Sequence, residues 1–388
     1  MVLAPTRFAG TLTADEAVEA LALGWSSAAP HDDLVLTPMS DGGPGFLDVV
    51  ARAVGGEILA ATVTDPFGQP VPAGVLVVDE GGRTAYIEAA QACGSDLVPA
   101  DRRDPAHASS AGLGQLLELA LSTEPARIFV GVADTATHDA GAGMLAALGA
   151  GEPTKLGRGG LALDDVRAED VADLPGVLQR LRSVQLSLVT TATLPLLGLQ
   201  GASAIEAEAR GATAAQAQAL EAAFGRWAQL TAELLPQSLD LVGGGPRRLD
   251  REPGAGAGGG LGYALLLLGA SRHDGADFVA DLVGLSSLLR EADLVLTGEG
   301  RYDWRSLRNS VPAAVSARAM AAGIPAVVLA GVIQVGRREA MTAGFSGMYG
   351  VAERPDQVAA ALADPAGTLR ARAARVAATW SPAPGASA

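Results

Sequence analysis

Apolar positions along the chain recur at two spacings, and the change from one to the other marks the elements. Residues 2–5 form a short apolar run that ends at a glycine turn, Gly10. Beyond it Thr13 and Glu16 have the spacing of a capping box, and Ala17 and Leu21 follow at helical spacing, which predicts a helix. A second apolar run at 34–37 leads through Ser40-Asp41-Gly42-Gly43-Pro44-Gly45 into a helix from about Phe46. Strand, helix, strand, helix in this order implies a parallel sheet covered by helices.

From 57 to 88 the spacing shortens to β-rich runs at 58–63, 71–78 and 84–87, separated by Asp65-Pro66-Phe67-Gly68 and by Gly81-Gly82. Those breaks are hairpin signals, so a second domain starts here. A helix over 113–121, a strand at 127–131, a polar loop through Asp139 and a helix from Ala142 come next, then a strand at 184–190 and a long helix over 212–235. After the glycine tract at 254–262 the strand–helix alternation returns, with strands at 294–297 and 326–330. The expected fold is α/β with two α/β domains. A discontinuous flavodoxin- or Rossmann-like parallel-sheet domain (1–62 plus 280–388) receives an inserted middle α/β domain (63–279), and a frayed tail follows Trp380.

Composition narrows the task. The 388 residues are 49% hydrophobic and 18% charged, and no apolar stretch approaches the length of a bilayer span. A net charge of −15 repels phosphate backbones and anionic lipid, which points away from nucleic acid and membranes and toward a small-molecule substrate. The N-terminus has no basic segment followed by an apolar one, and the lone Cys93 cannot form an internal disulfide, so the expected location is the cytoplasm. Lys155 is the chain's one lysine, and every other basic residue is arginine.

Open α/β sheets hold ligands in the loops at the C-terminal ends of their strands, and several loops here have the chemistry for it. In residues 40–45, Gly42, Gly43 and Gly45 let backbone N–H groups approach an anion, and Asp41 can hold a metal or a hydroxyl; an ordinary Asp-Gly turn is the alternative. In residues 131–144, Thr137, His138 and Asp139 sit just before a helix. Asp139 is the candidate base for taking a hydroxyl proton, against the simpler reading of an N-cap. Gly256, Gly258, Gly259 and Gly260 form an anion or nucleotide cradle, a linker or a close packing contact, and the tract lacks the Gly-Lys-Ser of a Walker A loop. In residues 297–303, Arg301 can hold a carboxylate, while Glu299 and Asp303 can hold a metal or hydroxyl. Residues 88–94 are less specific, and Glu88 is read as satisfying a neighbour. His31, His107 and His273 have no partners at metal-ligand spacing and read as surface residues.

Taken in order, these loops resemble the type I glycerate kinase family, with signatures such as APDSFKGSLSA, ADGGEGT, GGSATNDGGAGM, PGTGAAGGLG and TGEGRLDxQSLxGKxP. Here the corresponding stretches are 4–13, 40–46, 133–144, 253–262 and 297–312. The resemblance implies two domains with an active site in the cleft between them, and transfer of the γ-phosphate of ATP, with Mg²⁺, to a hydroxyl of glycerate or a related small hydroxy acid. It implies Asp139 and Asp303 as catalytic residues, and Arg301, Glu299, Asp41, Thr137 and His138 on the substrate. The glycines of 42–45 and 256–260 would lie on the nucleotide, and Asp41, Glu299 and Asp303 on the metal. Homodimer formation is left open.

The departures from the family pattern are specific. Its Asp falls at Thr6, its Lys at Ala9, its Glu at Pro44, its Asn at His138 and its Gly-Lys pair at Asn309-Ser310, while its acidic DVDNPLxGPxGA stretch is here 191–202. Arg7, Arg305 and Arg308 are the candidate replacements for the missing lysines. The rival reading is therefore a catalytically impaired paralogue that binds a metabolite or a protein. A kinase with an altered acid substrate, suggested by Arg7, His138 and Trp304, lies between the two.

Overall fold

The computed structural model describes residues 1–79, 81–235 and 247–381. Its strands, in chain order, are β1 (Val2–Leu3), β2 (Val35–Leu36), β3 (Glu57–Thr64), β4 (Pro70–Asp79), β5 (Arg83–Glu88), β6 (Arg127–Gly131), β7 (Gln185–Val189), β8 (Ser271–His273), β9 (Val295–Thr297), β10 (Arg301–Tyr302), β11 (Ala326–Ile333) and β12 (Phe345–Ala352). The chain divides into two units, one made of Met1–Asp41, Asp48–Val54 and the stretch from Asp274 onward, the other of Gly42–Leu47 and Gly55–His273. The tail expected after Trp380 lies, from residue 382 on, outside the described residues.

The discontinuous unit is an all-parallel sheet in the order β12-β11-β9-β1-β2, with β10 continuing the line of β9 along β11. Parallel strands covered on both faces read as unbroken apolar runs, and Val2, Leu3 and Val327 to Ala330 are all fully buried. The Ala14–Ala28 helix starts as predicted: Thr13 Oγ1 accepts from Glu16 N, and Glu16 returns the bond to Thr13 N. It lies against the Pro365–Trp380 helix so closely that a Cβ on Gly24 would stand 2.2 Å from the Arg370 carbonyl oxygen. Leu21, Trp25, Leu296, Leu329, Leu369 and Val376 fill this core. Each such side chain contributes about 1.5–3 kcal/mol by leaving water.

The other unit is a mixed sheet. β3, β4 and β5 form an antiparallel meander, and β5, β6, β7 and β8 run parallel. The first hairpin turns as its sequence demands: Asp65 Oδ1 accepts from Phe67 N and Gln69 N, both at 2.8 Å, and Gly68 has φ +80°. The Ala111–Ser122 and Ala214–Leu234 helices carry Leu113, Leu117, Phe224 and Trp227 into a core with Ile87, Ile128 and Leu188.

The boundaries differ from those read in the sequence. β3 is paired along its length with β4, so the inserted unit resumes at Gly55 and not at 63. The Gly275–Leu282 helix belongs to the discontinuous unit, where Arg318 of the Val311–Ala322 helix donates to Asp277 and Asp281. Residues 42–47 go with the inserted unit, so the Asp-Gly loop is split from the helix it opens. Among the described residues no helix is long and apolar enough to cross a membrane.

Candidate active site

In the discontinuous unit β1 lies between β2 and β9, and the chain runs outward to β2 first and returns to β9 on the other side. The loops after β1 and β9 therefore flank the switch point, the crevice where open parallel sheets take ligands. Hydrogen bonds tie these loops together: Thr6 N donates to the Gly298 carbonyl at 2.9 Å, Met39 N to the Pro5 carbonyl at 2.9 Å, and the Thr297 side-chain hydroxyl to the Ala4 carbonyl at 2.7 Å. Gly298 is required by packing, since a Cβ there would meet the Leu329 carbonyl oxygen at 2.2 Å.

Glu299 stands out in this crevice. Its Oε1 is buried and has no hydrogen-bond partner, and its carboxyl is pushed up to about 7. Burial is the main cause, the charges of Asp41 and Asp303 add to it, and a hydrogen bond with Ser306 opposes it. Two expected residues, Asp41 and Asp303, thus act electrostatically on a third, Glu299. The turn beyond is braced: Asp303 Oδ1 accepts from Arg305 N at 2.8 Å, Asp303 N donates to Ser306 Oγ at 3.2 Å, and Ser310 Oγ donates to the Ser306 carbonyl at 2.6 Å. Arg301 is exposed. Trp304 is 70% exposed, with the Arg305 guanidinium 5.2 Å from its ring centre.

The inserted unit treats its candidates differently. Asp139 is fully buried and both oxygens are occupied: Oδ2 accepts from Ser110 N, Ser110 Oγ and Gly143 N, and Oδ1 from Gly141 N. Burial pushes its pKa up while these donors pull it down. The reading of Asp139 as the base is corrected, because a carboxylate enclosed by four donors has no face left for a substrate; its work is to hold the loop. His138 is corrected likewise. It is fully buried, stacked on Phe224 at 4.9 Å and paired through Nε2 with Ser203 Oγ at 3.0 Å. Its pKa lies well below the ordinary 6.5, lowered by burial first and by the Arg210 charge second. Thr137 is buried beside it, and neither its Oγ1 nor His138 Nδ1 has a partner among the described residues.

The glycines of 256–260, and Gly42 of the other loop, are required by close packing. Gly256, Gly258, Gly259 and Gly260 are buried, the last three at φ +62°, +68° and +91°. A Cβ at Gly256 would stand 2.4 Å from the Pro195 carbonyl oxygen, at Gly258 2.6 Å from Val132 Cγ1, at Gly259 2.2 Å from the Thr137 carbonyl oxygen, and at Gly260 2.6 Å from Ala140 Cα. The tract therefore backs the 137–140 loop, which corrects its reading as a nucleotide cradle. Gly42, at φ +96°, is needed because a Cβ would meet the Val189 carbonyl oxygen at 2.6 Å. Gly43 is buried, while a Cβ at Gly45, φ +85°, would meet nothing within 4 Å, so Gly45 is a glycine for its backbone angle. Glu88 accepts from Leu47 N at 3.1 Å, capping the Phe46–Val54 helix.

Among the described residues no three His, Cys, Asp or Glu side chains converge closely enough to enclose a metal. The donor set allows at most a magnesium ion of the kind that keeps its waters and is bound through one or two carboxylates and substrate phosphates, for which Asp41 and Asp303 have the oxygen chemistry. Sequence reasoning missed Ser110, which acts on Asp139 twenty-nine positions away, while Ser306 and Ser310 were visible only as a match to and a departure from the family pattern, not as the hydroxyls that brace the turn.

The pattern of an open parallel sheet with an acidic switch-point loop has counterparts. The sequence model described as the glycerate kinase family matches residues 1–381. The chain belongs to the glycerate kinase family. It is 35% identical over 356 residues to the glycerate kinase of Bacillus subtilis (strain 168), covering 90% of each chain. It is 34% identical over 336 residues to the glycerate 2-kinase of Escherichia coli (strain K12), covering 85% of this chain and 84% of that one. A crystal structure from Salmonella typhimurium LT2, assigned as glycerate kinase 2, superposes with a TM-score of 0.73 at 31% identity, over 98% of this chain and 97% of that one. Membership in the glycerate kinase family makes this a kinase-like fold and places the departures at Thr6, Ala9 and Ser310 inside a known scaffold.

Proposed function

We propose that this glycerate kinase family member transfers the γ-phosphate of ATP to a hydroxyl of glycerate or a related small hydroxy acid. The observation that carries the reading is Glu299, a carboxyl with an open, buried oxygen beside Asp41 and Asp303 at the switch point of the parallel sheet. Phosphoryl transfer asks little covalent chemistry of a protein and much positioning and charge neutralisation. Magnesium, when bound, would neutralise charge on the phosphates. Asp41 and Asp303 would hold it, Glu299 would orient the acceptor hydroxyl and receive its proton, and Arg301 would take the substrate carboxylate by a paired hydrogen bond. Partial burial raises the Glu299 carboxyl above the ordinary carboxylate range, the direction that favours taking a proton.

The test is ADP release with ATP, Mg²⁺ and a panel of hydroxy acids that includes glycerate. Glu299→Gln and Asp303→Asn should each lower kcat by about a hundredfold or more while melting like the parent. Unchanged turnover in both would overturn the assignment.

A second reading, a metabolite- or protein-binding module, is favoured by one observation. Ser310 Oγ accepts from Ala313 N and donates to the Ser306 carbonyl, so the position where the resemblance expects a lysine is spent on local structure. No acid-dependent ADP release from folded protein, unchanged by Ala9→Lys plus Ser310→Lys, would select it; turnover gained on that double change would mark a decayed kinase site instead.

A further inference from the structure

The strand β3 has one neighbour among the described residues, β4, and its far side is an edge eight residues long. Edges of this kind are usually blunted by proline, lysine, a bulge or shortness. The other edges here are: β2 has two residues, β8 has three, and β12 shifts register against β11. β3 has none of these devices, its pairing with β4 is unbroken, and residues 58–64 carry no charge.

Which backbone groups face outward follows from four separate contacts. Asp65 N bonds to the Gln69 carbonyl, so the bonded pairs with β4 continue at 63, 61, 59 and 57. Pro70 and Pro72, which have no N–H, stand opposite Thr64 and Thr62, the non-bonded positions. Thr64 N turns away from β4 and donates to Gln115 Oε1, and Gly74 N, opposite Ala60, turns away from β3 to Gln91 Oε1. Ile58, Ala60 and Thr62 therefore direct both N–H and C=O outward, and all three side chains are exposed, Ile58 at 50%.

This pattern is its own complement under a two-fold rotation. We propose that two copies of the chain pair antiparallel through β3 with Ala60 on the axis. Ile58 then opposes Thr62 of the second copy, Ala60 opposes Ala60, and each of the three pairs exchanges two N–H···O bonds. The smallest side chain sits on the axis, and the β-branched Ile58 and Thr62 cover each other. The charged end residue Glu57 opposes Val63 of the second copy, which sets the two Glu57 carboxylates roughly 20 Å apart along the strands, beyond the screening length. Thr64, already held by Gln115, ends the ladder.

Light scattering on the intact protein should give about twice 38.9 kDa at micromolar concentration. Ala60→Pro removes only an outward N–H, and Ala60→Lys places two ammonium groups on the axis; both should halve that mass with the far-UV spectrum retained. A short bis-maleimide should join Ala60→Cys chains rapidly. It should not join Ile58→Cys chains, whose thiols sit roughly 13 Å apart along the strands. It should join an equal mixture of Ile58→Cys and Thr62→Cys. The buried native Cys93 leaves the parent as an unreactive control. A monomeric parent, a dimer that survives both Ala60 changes, or Ile58→Cys joining as fast as Ala60→Cys would each overturn the pairing.

Discussion

Asp139 is a fully buried acid and Glu299 a half-buried one, both in polar loops, and their surroundings assign them opposite tasks. Asp139 accepts from Ser110, Gly141 and Gly143, so every lone-pair direction in use is structural. Asp139→Asn keeps the shape but turns an amide N–H₂ toward those donors. The expected cost is about 3 kcal/mol in urea unfolding, with kcat per folded molecule nearly unchanged. A hundredfold loss of kcat without loss of stability would return Asp139 to the chemistry. His138 supplies a second residue-scale test. Its neutral ring is enforced in the folded state while the unfolded chain takes a proton near pH 6.5, so the unfolded state binds more protons in acid. Stability should fall as pH drops below about 6.5, by at most about 1.4 kcal/mol per unit from this group. Urea midpoints between pH 5 and 8 for the parent and His138→Asn measure it, and equal slopes would show that His138 is not the source.

Elements explain why some of the chain was legible and some was not. The capping box at Thr13, the Asp65 hairpin turn and the apolar run of β11 are local, so residues within a few positions decide them. β8 is three residues, Ser-Arg-His, placed by pairing with β7 and by Arg272 donating to the Thr190 and Ala192 carbonyls, and β12 contains Gly347 and Gly350; neither has a periodic signal to read. The same holds at the site. Glu299 was visible as a charge among glycines after a strand, whereas the burial of Asp139 depends on Ser110, twenty-nine residues earlier in the chain. The glycine tract looked like an anion cradle because glycine needed for close approach and glycine needed for a ligand leave the same letters. Ser310 is a local device that sequence comparison reads only as a loss. As N-cap of the Val311–Ala322 helix it accepts from Ala313 N at 3.2 Å. Ser310→Ala should cost about 1 kcal/mol by thermal or urea unfolding, and Ser310→Lys a similar amount, so a charge restored here is offset by a weaker helix start. No change in either would remove the cap as an explanation.

For the whole molecule, the order of the strands has a consequence in time. β1 is flanked by β2 and β9, and β9 begins at Val295. On a translating ribosome the N-terminal strand and its helix therefore emerge long before one of their two neighbours exists. At ordinary elongation rates the chain from Asp41 to Val295 takes roughly 15–50 s to appear. The inserted unit, whose last strand ends at His273, is complete before that interval closes. Its neighbour must keep Leu3, Leu21 and Trp25, side chains that end fully buried, out of wrong company meanwhile. Nascent chains arrested with residue 280 outside the exit tunnel should be cut by protease within residues 1–36 but resist within 84–131. Protection of both segments at that length would mean that the N-terminal strand does not wait for β9.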